Sequence, residues 1–168
     1  AMLLFSEDVP DSAIEEVRRV PGVLVAEGQR YLAAILRHGP FEKRVPIEAR
    51  RDGVDLSRIV DADGEVLDAP DRGVLLSETL ARQLGVTPGD LVEVEFLVGR
   101  RETVELPVSG IMTQYFGLGA YMELGALNSM LDEGPMISGA HIAYDSARTD
   151  DLFAAVKQTP VISGIAIQ

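Results

Sequence analysis

One stretch near the middle of the chain, Gly73 to Val94, constrains local structure more tightly than any other. An apolar run ends at Leu76, and Ser77 supplies a hydroxyl that can accept from the free backbone N–H groups of a helix's first turn. Leu80, Ala81 and Leu84 then share one face of a two-turn helix. Gly85 suits the left-handed position that ends a helix, with Val86 folding back onto it. Pro88-Gly89 predicts a type II turn, in which Pro fixes φ and Gly takes the positive-φ site. Leu91 to Phe96 alternates as a strand, and Glu102–Val108 is expected to pair with it across Gly99-Arg100. The segment predicts a compact β-rich module holding one short helix.

The flanks read differently. Asp11 or Ser12 is expected to cap a helix carrying Ile14, Val17 and Arg18 on one face, with Glu15 and Glu16 favourably placed in its first turn. Val20-Pro21-Gly22-Val23 ends it and starts a strand over Val23–Ala26. Further strands are expected at Tyr31–Leu36 and Val45–Ala49, with a turn at His38-Gly39-Pro40 between them. Asp61-Ala62-Asp63-Gly64-Glu65 has carboxylates at alternate positions, but Val66 and Arg72 stand where a calcium loop needs Gly and a carboxylate. It reads as a hairpin turn with Asp63 and Gly64 at positive φ. After residue 119, Leu124, Leu127 and Leu131 predict a helix, Ile137–Tyr144 a strand, and Val161–Ile167 a last strand. Between these strands Thr149 is expected to cap a helix with Leu152, Phe153 and Val156 turned inward.

An internal echo links the two flanks. Ile14–Pro21 aligns with Phe153–Pro160, apolar on apolar and Pro on Pro, each helix leading directly into a strand. The expected class is therefore α+β. Residues 3–70 and 120–168 would form a split ferredoxin-like layer, and residues 71–119 would form the β-rich module inserted into it.

Charge narrows the range of function. The 168 residues carry a formal charge of −12. Residues 1–60 hold 10 acids and 9 bases, whereas residues 61–168 hold 17 acids and 6 bases. So acidic a surface repels phosphate backbones, which weighs against the alternative reading of a small-barrel nucleic-acid-binding or regulatory module. Cysteine is absent, which removes disulfides and thiolate zinc sites. The longest uncharged run, Leu106–Met122, has 17 residues and is broken by Pro107 and three glycines, so it does not read as a membrane span. No signal peptide is visible, and Ala1 before Met2 reads as a cloning remnant on a trimmed piece of a longer protein.

A search for reactive chemistry finds no P-loop, no complete dinucleotide loop at Gly117-Leu118-Gly119 and no nucleophile elbow. His38 and His141 lie outside any metal-ligand spacing and read as structural. The acidic pairs Glu93/Glu95 and Asp150/Asp151 read as solvated surface. Catalytic, cofactor and metal sites are accordingly expected to be absent. One segment stands out as a candidate partner-binding loop. Tyr115, Phe116, Leu118 and Tyr121 sit in an uncharged, Gly-rich stretch, and aromatic residues on loops are favoured binding anchors. The competing reading has them close over the junction between the two subdomains.

The run Gly73–Val94, followed by Val104–Met112, Ala120-Tyr121-Met122 and the Leu124/Leu127/Leu131 helix, resembles the extracytoplasmic core domain of FtsX/MacB/LolC-type ABC-transporter permeases. The flanking Val20-Pro21-Gly22-Val23 and Thr159-Pro160-Val161 units are similar to that family's paired halves, so the resemblance extends from about Asp11 to Gln168. It implies a non-enzymatic domain standing outside the membrane between two transmembrane helices. It also implies a separate cytoplasmic ATP-binding cassette subunit, a second permease copy or homologue, and a periplasmic or extracellular protein or lipoprotein as partner. The role implied is to couple ATP hydrolysis to transport, release or partner activation by conformational transmission.

Overall fold

A single strand, β2 (Val23–His38), runs for 16 residues and organises everything around it. The computed structural model describes residues 1–51, 56, 59–98, 101–113 and 118–166. The strands expected at Val23–Ala26 and Tyr31–Leu36 are therefore one element. Gly28 does not break it: it pairs with Ala140 in the ladder, and a Cβ added there would stand 2.9 Å from the Ile137 side chain.

The N-terminal half of β2 belongs to a four-stranded antiparallel layer. Its partners are β1 (Met2–Pro10), β10 (Met136–Tyr144) and β11 (Ile162–Ala166), in the order β11-β1-β10-β2. Helices α1 (Ile14–Arg18) and α4 (Thr149–Lys157) cover one face of this layer. Val17, Leu152 and Val156 from the helices pack on Leu3, Ala26, Ala140, Ile142 and Ile162 from the strands. The helix-to-strand units that echo each other in sequence thus share one small core.

The C-terminal half of β2 enters a barrel. It pairs with β3 (Phe41–Arg50), and the order continues through β9 (Ala120–Glu123), β6 (Val74–Ser77), β8 (Thr103–Met112) and β7 (Leu91–Phe96). Pairing of β7 with β2, from Ala34↔Phe96 to Arg37↔Glu93, closes the circle. Leu32, Ala34 and Leu36 alternate into the interior with Val45, Ile47, Val92, Val94 and Phe96. The barrel draws β2, β3 and β9 from outside the 71–119 stretch, because closure needs six strands and that stretch contributes three.

Local chemistry of the central segment follows the sequence closely. Helix α2 (Glu78–Leu84) starts at Ser77, whose hydroxyl accepts from Leu80 N, and ends at Gly85 with φ 69°. Its buried residues are Leu80, Ala81 and Leu84. Thr87–Asp90 closes as a turn through Asp90 N to Thr87 O at 3.0 Å, with Gly89 at φ 95°. Helix α3 (Leu124–Leu131) buries Leu124, Leu127 and Leu131, and also Asn128.

Two caps depart from expectation. Thr149 does not cap α4; Asp145 instead caps the single 3-10 turn before it, and the Thr149 hydroxyl donates to Ser146 O. Neither Asp11 nor Ser12 caps α1, which is preceded by a 3-10 turn over Asp11–Ala13. The hairpin of β4 (Ile59–Val60) and β5 (Val66–Leu67) forms, but of its two central residues only Gly64 has positive φ, at 84°. The reason is the Asp61 carboxylate, which accepts from both Asp63 N and Glu65 N and holds Asp63 in an ordinary turn conformation.

Candidate functional site

Of the aromatic loop singled out in sequence, Tyr115 and Phe116 lie outside the described residues. Leu118 is half-buried and packs against the barrel core. Tyr121 falls within β9, where Gly119 makes room for its ring. A Cβ on Gly119 would stand 2.8 Å from the Tyr121 hydroxyl.

Tyr121 joins a row of polar side chains on the outer face of the sheet. The register sets Tyr31 of β2 opposite Glu48 of β3, and Glu48 opposite Tyr121 of β9. One pleat along, Gln29 stands opposite Arg50. The Arg50 guanidinium reaches back to Glu48 Oε2 at 3.2 Å and lies over the Tyr121 ring. His141 on β10 completes the group from the layer side. Sequence reasoning missed Tyr31, Glu48, Arg50, Gln29 and His141 as a cluster, because strand register across β2, β3 and β10, with β9 beside them, brings them together. Alternation placing Glu48 and Arg50 on one face of a strand was the only available signal.

The electrostatics of the group are those of removal from water. Burial, reinforced by Glu48, pushes the Tyr31 phenol up to about 12. Burial likewise raises Tyr121 and Glu48, with Arg50 opposing in both cases. His141 is lowered by burial and by the Arg50 charge. Every shift favours the uncharged form. The fully buried Gln29 side-chain amide approaches the Tyr31 phenol but makes no hydrogen bond of good geometry among the described residues, and neither does His141 Nε2.

The remaining candidates are accounted for by simple contacts. His38 Nδ1 lies 3.0 Å from Leu84 O, beside the hairpin turn. Glu93 and Glu95 both meet Arg37, at 3.4 and 2.9 Å, and Asp151 pairs with Arg148 across one helical turn. Among the described residues no group of three or more His, Asp or Glu side chains is arranged to hold a metal ion. Among them, too, no helix is long and apolar enough to cross a membrane.

No family model and no curated protein matches the sequence. Solved structures do. The extracellular domain of the noncanonic ABC-type transporter YknZ from Gram-positive bacteria superposes with a TM-score of 0.62, covering 92% of this chain and 86% of that one at 13% identity. The periplasmic region of MacB from Actinobacillus actinomycetemcomitans superposes with a TM-score of 0.55, covering 94% and 81% at 13% identity. The chain has the fold of an ABC-permease extracytoplasmic domain. Layer and barrel meet along β2, and Gln29 and Tyr31 of the polar cluster lie on that strand.

Proposed function

We propose that the chain is the extracytoplasmic domain of an ABC-transporter permease subunit, and that it works by transmitting movement and binding protein rather than by catalysis. The observation that carries this reading is a register. Met2 at the start of β1 stands opposite Ala166 at the end of β11, on adjacent antiparallel strands. Both ends of the domain therefore leave side by side from one end of the layer, and the barrel lies away from them. That is the geometry of a domain inserted between two transmembrane helices, where a small displacement of the helices is carried to the far tip.

ATP hydrolysis belongs, on this reading, to a separate cytoplasmic ATP-binding cassette subunit. A second copy of the permease or a homologue stands alongside, and a periplasmic or extracellular protein or lipoprotein is engaged. The layer is read as a split ferredoxin-like unit, which the antiparallel order β11-β1-β10-β2 and its two helices support. Residues 115–121 are proposed as one contact for the partner, with Tyr121 at the edge of that surface.

Residues 1–168 hold no cysteine, which makes a direct test available. A single Gln83→Cys change on the exposed side of α2, in the full-length protein with any cysteine outside these residues replaced by serine, should be labelled by a membrane-impermeant maleimide in intact source cells. Labelling only after lysis places the domain in the cytosol and ends the permease reading. Co-purification of an ATPase subunit with the same protein tests the partner.

A further inference from the structure

Strand β2 changes partners in mid-course. Gln29 pairs with Gly139 of β10 on one side and with Arg50 of β3 on the other, and the pairing passes from layer to barrel at that residue. Pairing with β7 resumes on the vacated side only at Ala34. Between them, residues 30–32 have a backbone ladder on one side alone, with Ala33 O already accepting from Leu97 N at 2.9 Å. A strand held by one neighbour is where a sheet bends most easily, so this is the natural flexing point between layer and barrel.

The point is occupied by the largest fully buried side chain among the described residues. Arg30 is 1% exposed. Its Nε donates to Asp8 Oδ2 at 3.0 Å, its Nη1 to Asn128 Oδ1 at 2.8 Å, and its Nη2 to Glu133 Oε2 at 2.8 Å. The second Asp8 oxygen accepts from the Ser138 hydroxyl at 2.8 Å, and that hydroxyl oxygen in turn accepts from Tyr31 N at 3.1 Å. Asn128 is itself fixed, its amide donating to Met136 O at 3.1 Å. Asp8 and Ser138 belong to the layer. Asn128 and Glu133 belong to α3 and the turn after it, and α3 is bound into the barrel core through Leu124, Leu127 and Leu131.

We propose that the Arg30 cluster is a clasp that fixes the angle between layer and barrel, making the chain one rigid lever instead of two hinged units. The physics is that of a buried cation with planar, divergent donors. A tilt of the barrel away from the layer would separate Asp8 from Asn128 and Glu133 together. It would leave a guanidinium in the interior with part of its fork unpaired, which is strongly unfavourable. Small tilts are therefore resisted, and the clasp either holds or opens as a whole. Movement received at the paired chain ends reaches the barrel tip undiminished. That use as a lever rests on the permease reading, whereas the clasp itself does not.

The test uses the isolated chain, so its result is independent of any membrane partner. Spin labels are attached at Lys157→Cys in the layer and Glu105→Cys in the barrel, both exposed positions. Double electron–electron resonance then gives the distribution of distances between them. The clasp predicts a single narrow peak for the parent. It predicts a distribution at least about twofold broader, or split in two, for Arg30→Met and for the Asp8→Asn/Glu133→Gln pair. Circular dichroism reports whether each variant remains folded. The double substitution keeps Arg30 and its packed stem, and it decides the matter if Arg30→Met does not fold. A broad parent distribution, or folded variants as narrow as the parent, overturns the proposal.

Discussion

The guanidinium carbon of Arg50 lies 5.5 Å from the centre of the Tyr121 ring, within the range at which a cation is attracted to an aromatic face. The contact links β3 to β9, a parallel pair whose register covers only Ile47–Arg50 against Ala120–Glu123. Tyr121→Ser should lower unfolding stability by about 2 kcal/mol, through lost ring burial and the lost cation contact. Tyr121→Phe, which keeps the ring, should cost less than about 0.5 kcal/mol. Urea denaturation distinguishes the two. If partner capture weakens in a Tyr121→Ser variant that remains folded, the contact surface extends to this residue.

Ser77 is fully buried, and its hydroxyl serves two backbone donors, Leu80 N at 3.4 Å and Gly119 N at 3.0 Å. Ser77→Ala removes the cap of α2 and leaves the Gly119 N–H without its acceptor. A loss of about 2–3 kcal/mol is expected in chemical denaturation, larger than for an exposed cap.

Gly73 and Gly64 both have positive φ, at 79° and 84°, yet they should respond very differently to alanine. A Cβ on Gly73 would lie 2.1 Å from Pro107 O, whereas one on Gly64 meets nothing within 4 Å. Gly64→Ala should cost about 1 kcal/mol, the strain of the left-handed conformation alone. Gly73→Ala adds a backbone collision and should cost more than about 3 kcal/mol, with a melting temperature lower by comparison in the same buffer.

His141 sets an acid-side dependence of stability. Its folded pKa lies below the ordinary 6.5, because of burial first and the Arg50 charge second, with Glu27 opposing. The unfolded chain therefore takes up a proton more readily as pH falls below about 6.5, and the histidine's contribution to stability is lost on the way down. Unfolding free energies measured from pH 8 to pH 5 should fall more steeply for the parent than for His141→Gln. Equal slopes would show that the imidazole does not carry the dependence.

How much of this was legible depends on how local the cause is. The cap that Ser77 gives Leu80 and the left-handed turns at Gly85 and Gly89 involve residues no more than four positions away, so capping and turn chemistry identify them directly, whereas the bond from Gly119 N to Ser77 was not legible. Leu80, Ala81 and Leu84 follow from helical spacing in the same way. The extent of β2 was not legible, because Gly28 and the polar pair Gln29-Arg30 look like a break between two apolar runs. They are the place where the strand passes from layer to barrel, and the partners that Arg30 needs for its burial, Asp8, Asn128 and Glu133, are all distant in sequence. The Asp63 conformation was misread although its cause is local: Asp61, two residues upstream, supplies a side-chain acceptor that the dipeptide turn rule leaves out. Within the candidate site Tyr121 was visible as an aromatic beside glycines, but Tyr31, Glu48 and Arg50 meet it only through strand register.

Because β2 is shared, the division of this molecule into two units exists in space but not along the chain. Excising the barrel would remove the strand that closes it, and excising the layer would strip β10 of its neighbour. A fragment study meant to isolate either half should therefore yield unfolded or aggregating peptides, and chimaeras with relatives must exchange both halves together.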